Sequence, residues 1–155
     1  MSPEKIGTIR RINSNIAALE RFLEMLDDID LLGSEPAMGE NSPSKLTIHN
    51  VAVSVRPEII LRGDGPKGKK FVGAMKLHMS TSDNFNDEAA GYVSAIVQEY
   101  CKAHITQGNE IVNPAYCQVI DVGNGVVYPG VKATAQRMKD VAAECQNIFG
   151  LWPSV

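Results

Sequence analysis

The sequence lacks most of the features that would assign a chain to a secreted, membrane-bound or nucleotide-binding class. Its cysteines, Cys101, Cys117 and Cys145, are odd in number and form no C-x-x-C pair, so no disulfide framework is indicated. They read as buried free thiols in a reducing compartment. A three-thiolate metal site would need a ligand spacing that these positions do not have. No apolar run approaches the roughly 20 residues of a membrane span, and the first residues lack the apolar centre of a signal peptide. A cytoplasmic protein with no membrane partner is expected. The formal net charge of −3 gives no global attraction to nucleic acid or anionic lipid, so any such contact must come from a local patch. A P-loop, a dinucleotide glycine fingerprint and a Gly-x-Ser-x-Gly elbow are also missing. His49, His78 and His104 are too scattered for a sequence-evident metal cluster.

What is present describes one ordinary domain. At 155 residues, with 44% hydrophobic and 21% charged content, residues 1–155 can bury a core without a disulfide or a metal. Residues 1–32 divide off as an N-terminal helix, 33–45 as a surface linker and 46–155 as an α/β core. The first helix is expected over about 4–30, with Ser2, Pro3 and Glu4 supplying a cap, a first-turn proline and a favourable acid. Its apolar residues Ile9, Ile12, Ile16, Leu19, Leu23 and Leu26 recur three and four apart. That stripe fits either a helix lying on the domain core or a two-helix seam in a homodimer. Residues 33–45 are rich in Gly, Ser, Pro and Glu and read as a linker within the domain.

Two strands follow, with alternation at Leu46, Ile48, Val51, Val53 and Val55 and a bulge expected near Asn50, where the parity slips. Pro57 suggests an edge or a bend before Ile59, Ile60 and Leu61. Residues 62–70 form a glycine-rich turn, and 71–79 return as a strand, making a central hairpin. A second helix is expected at about 86–104, capped by Asn86 or by the preceding Ser80, Thr81 and Ser82. Residues 116–122 and 126–128 read as a strand pair around Gly123, Asn124 and Gly125. A last helix spans about 132–149 and stops near Trp152 and Pro153. The order helix, two strands, helix, two strands, helix predicts an α/β (α+β) fold, with a small, mixed, mostly antiparallel sheet flanked by helices.

The returning strand carries the most chemistry. Phe71, Gly73, Met75, Leu77 and Met79 share one face, and Val72, Ala74, Lys76 and His78 share the other. A lysine in an apolar strand must reach solvent, pair with an acid or pay for desolvation. Glu58 on the preceding strand is its natural partner. The plainer alternative is a solvated Lys and His on an edge face. The turn residues Arg62, Lys67, Lys69 and Lys70 could contact a phosphate backbone, or could simply keep a hairpin tip soluble. No aromatics interleave with them, so base stacking is not indicated.

The strand bearing Pro57-Glu58, the turn and the strand bearing Lys76 together resemble the PD-(D/E)xK nuclease core of the RecB and λ-exonuclease type. Glu88-x-x-x-Tyr92 stands where that family carries Gln-x-x-x-Tyr, and a later strand and helix follow in order, so the resemblance covers roughly residues 46–145. It implies a restriction-endonuclease-like fold and a catalytic Glu58 and Lys76. In the family two acids hold a divalent cation, and the lysine stabilises or activates the hydrolytic water. Glu20 or Glu24 would match an acid common on the N-terminal helix of these nucleases. One position departs from the pattern: the second acid should precede Lys76 by two residues, and Ala74 stands there. Asp64 or Asp83 would have to replace it for Mg²⁺ to bind.

Three functions follow as expectations. The first is a nuclease-like, non-cleaving, dimeric interaction domain in a nucleic-acid-linked bacterial or mobile-element system, with no cofactor and with nucleic acid or protein as partner. The second is an active Mg²⁺-dependent nuclease with a displaced acid. The third is a structural adaptor that oligomerises through its terminal helices.

Overall fold

A computed structural model describes residues 2–81 and 85–151. Helix α1 (Pro3–Met25) starts where the sequence puts it. The Ser2 hydroxyl accepts from the Lys5 N–H at 3.3 Å, Pro3 occupies the first turn, and a 3₁₀ turn over Leu26–Asp28 ends the element. Only its second half meets the body of the domain. Ala18 and Met25 are buried and Phe22 packs on the core, whereas every described residue from 2 to 16 is exposed. The apolar stripe is therefore not a core face. Ile9, Ile12, Ile16, Leu19, Leu23 and Leu26 are between 44% and 63% exposed. This corrects the alternative in which that stripe packs on the core; the second half of the helix meets the core through other residues.

The linker contains a strand. β1 (Glu35–Met38) pairs antiparallel with β4 (Ile59–Asp64), placing Pro36 opposite Leu61 and Met38 opposite Ile59. Proline is tolerated there because β1 is an edge strand. The segment stays exposed, so it carries no buried apolar alternation to mark it as a strand.

The expected bulge at Asn50 is instead a tight turn. His49 and Asn50 have φ of 45° and 63°, the left-handed pair of a two-residue hairpin loop. They join β2 (Leu46–Ile48) to β3 (Val51–Val53) in a separate two-stranded sheet. The central hairpin is accordingly β4 with β5 (Lys70–His78), in a register from Ile59–Met75 to Asp64–Lys70. Gly73 on β5 is required by space rather than by dihedral, since a β-carbon there would stand 2.4 Å from the Tyr116 side chain.

Helix α2 (Asp87–Tyr100) is capped by Asn86, whose Oδ1 accepts from the Ala89 N–H at 2.9 Å. It runs on as one π-helical turn over Cys101–Ile105. Ser82, of the alternative capping run, lies outside the described residues, as do Trp152 and Pro153. The chain then crosses to β6 (Ile111–Val112) and β7 (Val119–Asp121), both parallel to β5, and β7 pairs antiparallel with β8 (Val126–Tyr128). Tyr116, expected at a strand start, lies instead in a 3₁₀ turn over Pro114–Tyr116. Helix α3 (Ala135–Leu151) follows. The main sheet reads β1-β4-β5-β7-β8, with β6 also on β5. It is a mixed, mostly antiparallel sheet flanked by helices.

Two cores lie on opposite faces of this sheet. Val72, Ala74 and Ile60 meet Val97, Tyr100 and Cys101 of α2 and its extension. Leu61, Met75, Leu77 and Ile120 meet Tyr116, Val122 and Met25. The alternation read along β5 therefore assigns both faces correctly. Among the described residues, no helix is long and apolar enough to cross a membrane.

Candidate site at Glu58 and Lys76

The β4–β5 ladder ends at Ile59–Met75; Lys76 follows on β5, and Glu58 sits in the bend that precedes β4. Lys76 shares the face of Val72 and Ala74 by the alternation of β5. Lys76 Nζ donates to Glu58 Oε1 at 2.5 Å and to the Arg56 carbonyl at 2.9 Å. The other carboxylate oxygen of Glu58 accepts from the Leu77 N–H at 2.8 Å. Each side chain is about one-third exposed, so the pair sits at a rim and not in the core. The position of Glu58 is fixed in turn by β1, because Gly39 donates its N–H to the Glu58 carbonyl at 2.9 Å. Gly39 could hardly be another residue: a β-carbon there would lie 2.0 Å from the Pro57 carbonyl oxygen.

The pair opens into a cleft of about 320 Å³ lined by Met38, Gly39, Glu40, Asn41, Arg56, Pro57, Glu58 and Lys76. The Arg56 guanidinium donates to the Asn41 carbonyl across it. Glu40, Asn41 and Arg56 were not legible as site residues. They reach the cleft only because the linker turns into β1 and crosses β4, and no residue pattern announces that strand.

A divalent cation is not accommodated by these residues. The carboxylate oxygens of Glu58 already accept from Lys76 and Leu77, and Ala74 is fully buried against α2. A hard cation such as Mg²⁺ requires several oxygen ligands in near-octahedral geometry. Among the described residues, no three His, Cys, Asp or Glu side chains come together. Asp64 does not replace the missing acid, since it pairs with Lys70 at the far end of the hairpin. Asp83 lies outside the described residues. Glu20 and Glu24 are exposed on α1, and neither lines the cleft.

The remaining candidates are dispersed. Glu88 is exposed, and the Tyr92 hydroxyl donates to Asp140 of α3 at 2.8 Å, a helix-to-helix contact. That hydrogen bond pushes the Tyr92 hydroxyl above its ordinary value. Asp140 is held below its own by Tyr92 and then by Gln136. Of the four cations expected in one turn, Arg62 lies instead within β4 and Lys70 opens β5, since the ladder runs on to Asp64–Lys70; Arg62 pairs with Glu110 at 3.0 Å and reaches the Ile105 carbonyl, while Lys70 pairs with Asp64. Lys67 and Lys69 are exposed. His49 sits in its turn, His78 stacks on Phe85 with ring centroids 4.6 Å apart, and His104 lies 3.2 Å from the Lys45 carbonyl. The cysteines are all free and buried. Contact with Cys117, and then burial, push the Cys101 thiol up. Two buried thiols thus come together that sequence spacing had left apart.

No known family model, curated protein or solved structure matches this chain.

Proposed function

We propose that this chain is a nuclease-like domain that does not cleave, and that it serves as a cytoplasmic interaction module in a nucleic-acid-linked bacterial or mobile-element system. The observation that carries the reading is the state of Glu58. It meets Lys76 across the end of the hairpin, as the resemblance to PD-(D/E)xK nucleases requires, yet its carboxylate is committed to Lys76 and Leu77. A nuclease of this type needs that carboxylate for a metal and a second acid beside it, and Ala74 supplies none. What remains is an ion pair that fixes the end of the central hairpin. The order of central hairpin, α2 and later strand supports the same ancestry, and the buried free thiols support a reducing compartment.

Purified protein incubated with linear duplex and single-stranded DNA, with Mg²⁺ and separately with Mn²⁺, tests the reading. Intact DNA is the expected result. Cleavage that disappears in Lys76→Ala would replace it with the reading of an active Mg²⁺-dependent enzyme.

The adaptor reading is favoured by a separate observation, the exposed apolar stripe of α1. Self-association through that helix is compatible with a silent nuclease-like body. The two are joined here: the hairpin keeps the body rigid, and the helix supplies the contact.

A further inference from the structure

The stripe on α1 has the composition and charge of a surface made for a second copy of the same helix. Its first half carries Lys5, Arg10 and Arg11 against the single acid Glu4. Its second half and the following turn carry Glu20, Glu24, Asp27 and Asp28 against the single cation Arg21. A parallel pair would set cations beside cations and acids beside acids. An antiparallel pair sets each basic half along an acidic one and also opposes the two helix dipoles.

The apolar residues are symmetric under the same operation. Reversing the helix about a point between Ala17 and Ala18 exchanges Ile9 with Leu26, Ile12 with Leu23 and Ile16 with Leu19. Every member of the stripe thus meets another member, as a two-fold interface requires, and each contact sets an Ile against a Leu.

The way α1 leaves the domain agrees with this. Residues 2–16 are all exposed, while the helix from Ala17 onward is held to the body through Ala18, Phe22 and Met25. The outward face of that anchored half still presents Leu19, Leu23 and Leu26, at 56%, 63% and 47% exposure. It is the surface along which another copy's projecting half would lie.

We propose that two copies of this chain pair through α1 in antiparallel register, with Ile9 opposite the partner's Leu26, Ile12 opposite the partner's Leu23 and Ile16 opposite the partner's Leu19. The proposal rests on the interaction-module reading and names its partner as a second copy. Each projecting half is covered by the anchored half of the other molecule, and the two bodies end at opposite ends of the shared pair.

Multi-angle light scattering of the full chain gives the first readout, and a dimer is expected. Ile9→Lys with Ile12→Lys lies entirely in the exposed half, so it should give a monomer whose body keeps its near-ultraviolet circular dichroism and a cooperative urea transition, with the midpoint lowered only by the loss of the partner. Site-directed cross-linking gives the direction. Two Ile12 positions in the antiparallel pair are separated by about 11 residues of helix rise, roughly 16 Å, beyond the reach of a disulfide. Under copper–phenanthroline oxidation, Ile12→Cys alone and Leu23→Cys alone should give no covalent dimer, whereas their mixture should give one. The unsubstituted chain, with its buried native thiols, is the control. A dimer in which Ile12→Cys alone cross-links would overturn the antiparallel arrangement and leave self-association standing. A monomer at high concentration would overturn both.

Discussion

Lys76 donates to one carboxylate oxygen of Glu58, while the backbone N–H of the following residue, Leu77, donates to the other. A single side chain thus continues the β4–β5 pairing beyond the point where the backbone ladder stops. The two partners are not equivalent in this arrangement. Removing Glu58 leaves the Leu77 N–H without its acceptor while Lys76 keeps the Arg56 carbonyl, whereas removing Lys76 takes a donor from Glu58 and from the Arg56 carbonyl but leaves Glu58 bonded to the Leu77 N–H. Glu58→Ala should lower stability by about 1–3 kcal/mol. Lys76→Met should cost no more than about 1 kcal/mol, because the pair is partly screened by water. Urea denaturation of both variants measures the difference, and equal losses would show that the Leu77 bond contributes nothing.

The hairpin tip makes a second asymmetry testable. Arg62 and Lys70 are each engaged by an acid, while Lys67 and Lys69 face solvent. If this turn contacts a phosphate backbone, Lys67→Glu with Lys69→Glu should reduce DNA binding and flatten its salt dependence, as each lost phosphate contact lowers the slope by about one. Arg62→Ala should instead act on stability, through loss of its bonds to Glu110 and Ile105. Fluorescence anisotropy at two salt concentrations separates them, and equal binding by all variants would remove the turn from consideration.

Ser94 offers a sharper stability test. It is fully buried on α2, donates to the Cys117 carbonyl at 2.8 Å, and accepts from the Val131 N–H at 3.2 Å and from Gln98 at 3.3 Å. Ser94→Ala would strip a partner from the buried Cys117 carbonyl and from the half-buried Val131 N–H, while Gln98 keeps the Val131 carbonyl, a loss of about 1–3 kcal/mol. Thermal and urea unfolding should both register it. A change under about 0.5 kcal/mol, at the level of a surface substitution, would mean that these groups find other partners.

The contact between α2 and α3 should depend on pH at both extremes. Asp140 is held below its ordinary value, so its contribution is present above the unfolded carboxylate value of about 3.9 and is lost as pH falls through the folded value. Tyr92 is raised, so its contribution is present below about 10 and is lost as pH rises through its folded value. Tyr92→Phe should therefore remove part of the pH dependence of the urea midpoint at both ends of the range. Identical pH profiles for the two proteins would count against the bond at Tyr92.

Alternation along β5 was enough to assign both sheet faces, because successive side chains of a strand point to opposite faces whether one face is buried or both are, as they are here. The strand β1 was not legible, since Glu35, Pro36, Ala37 and Met38 are all exposed and so show no apolar alternation. The cleft residues that β1 delivers, Glu40 and Asn41, were missed for the same reason. The slip at Asn50 was visible but misread: two left-handed residues in a turn disturb parity just as an inserted residue does. Tyr92 stood at the right spacing for the family motif, yet spacing along one helix cannot say which neighbour lies opposite, and here it is α3. The stripe of α1 was read correctly as a stripe. Whether it faced the core or solvent depended on how the chain leaves the helix, which its own residues do not encode.

β5 pairs with strands from very different distances along the chain. β4 reaches it across a turn of a few residues, but β6 and β7 return only after the whole of α2 has been laid down. The order of assembly follows from this difference in closure. The β4–β5 hairpin can form on a microsecond scale from local chain alone, while the parallel pairs must wait for a loop of some 40 residues to close against it. Substitutions in the hairpin should then slow refolding, and substitutions in β7 should chiefly accelerate unfolding. Until β7 arrives, the side of β5 that will become the centre of the sheet is an open edge, and in that interval the chain is most exposed to pairing with the wrong strand.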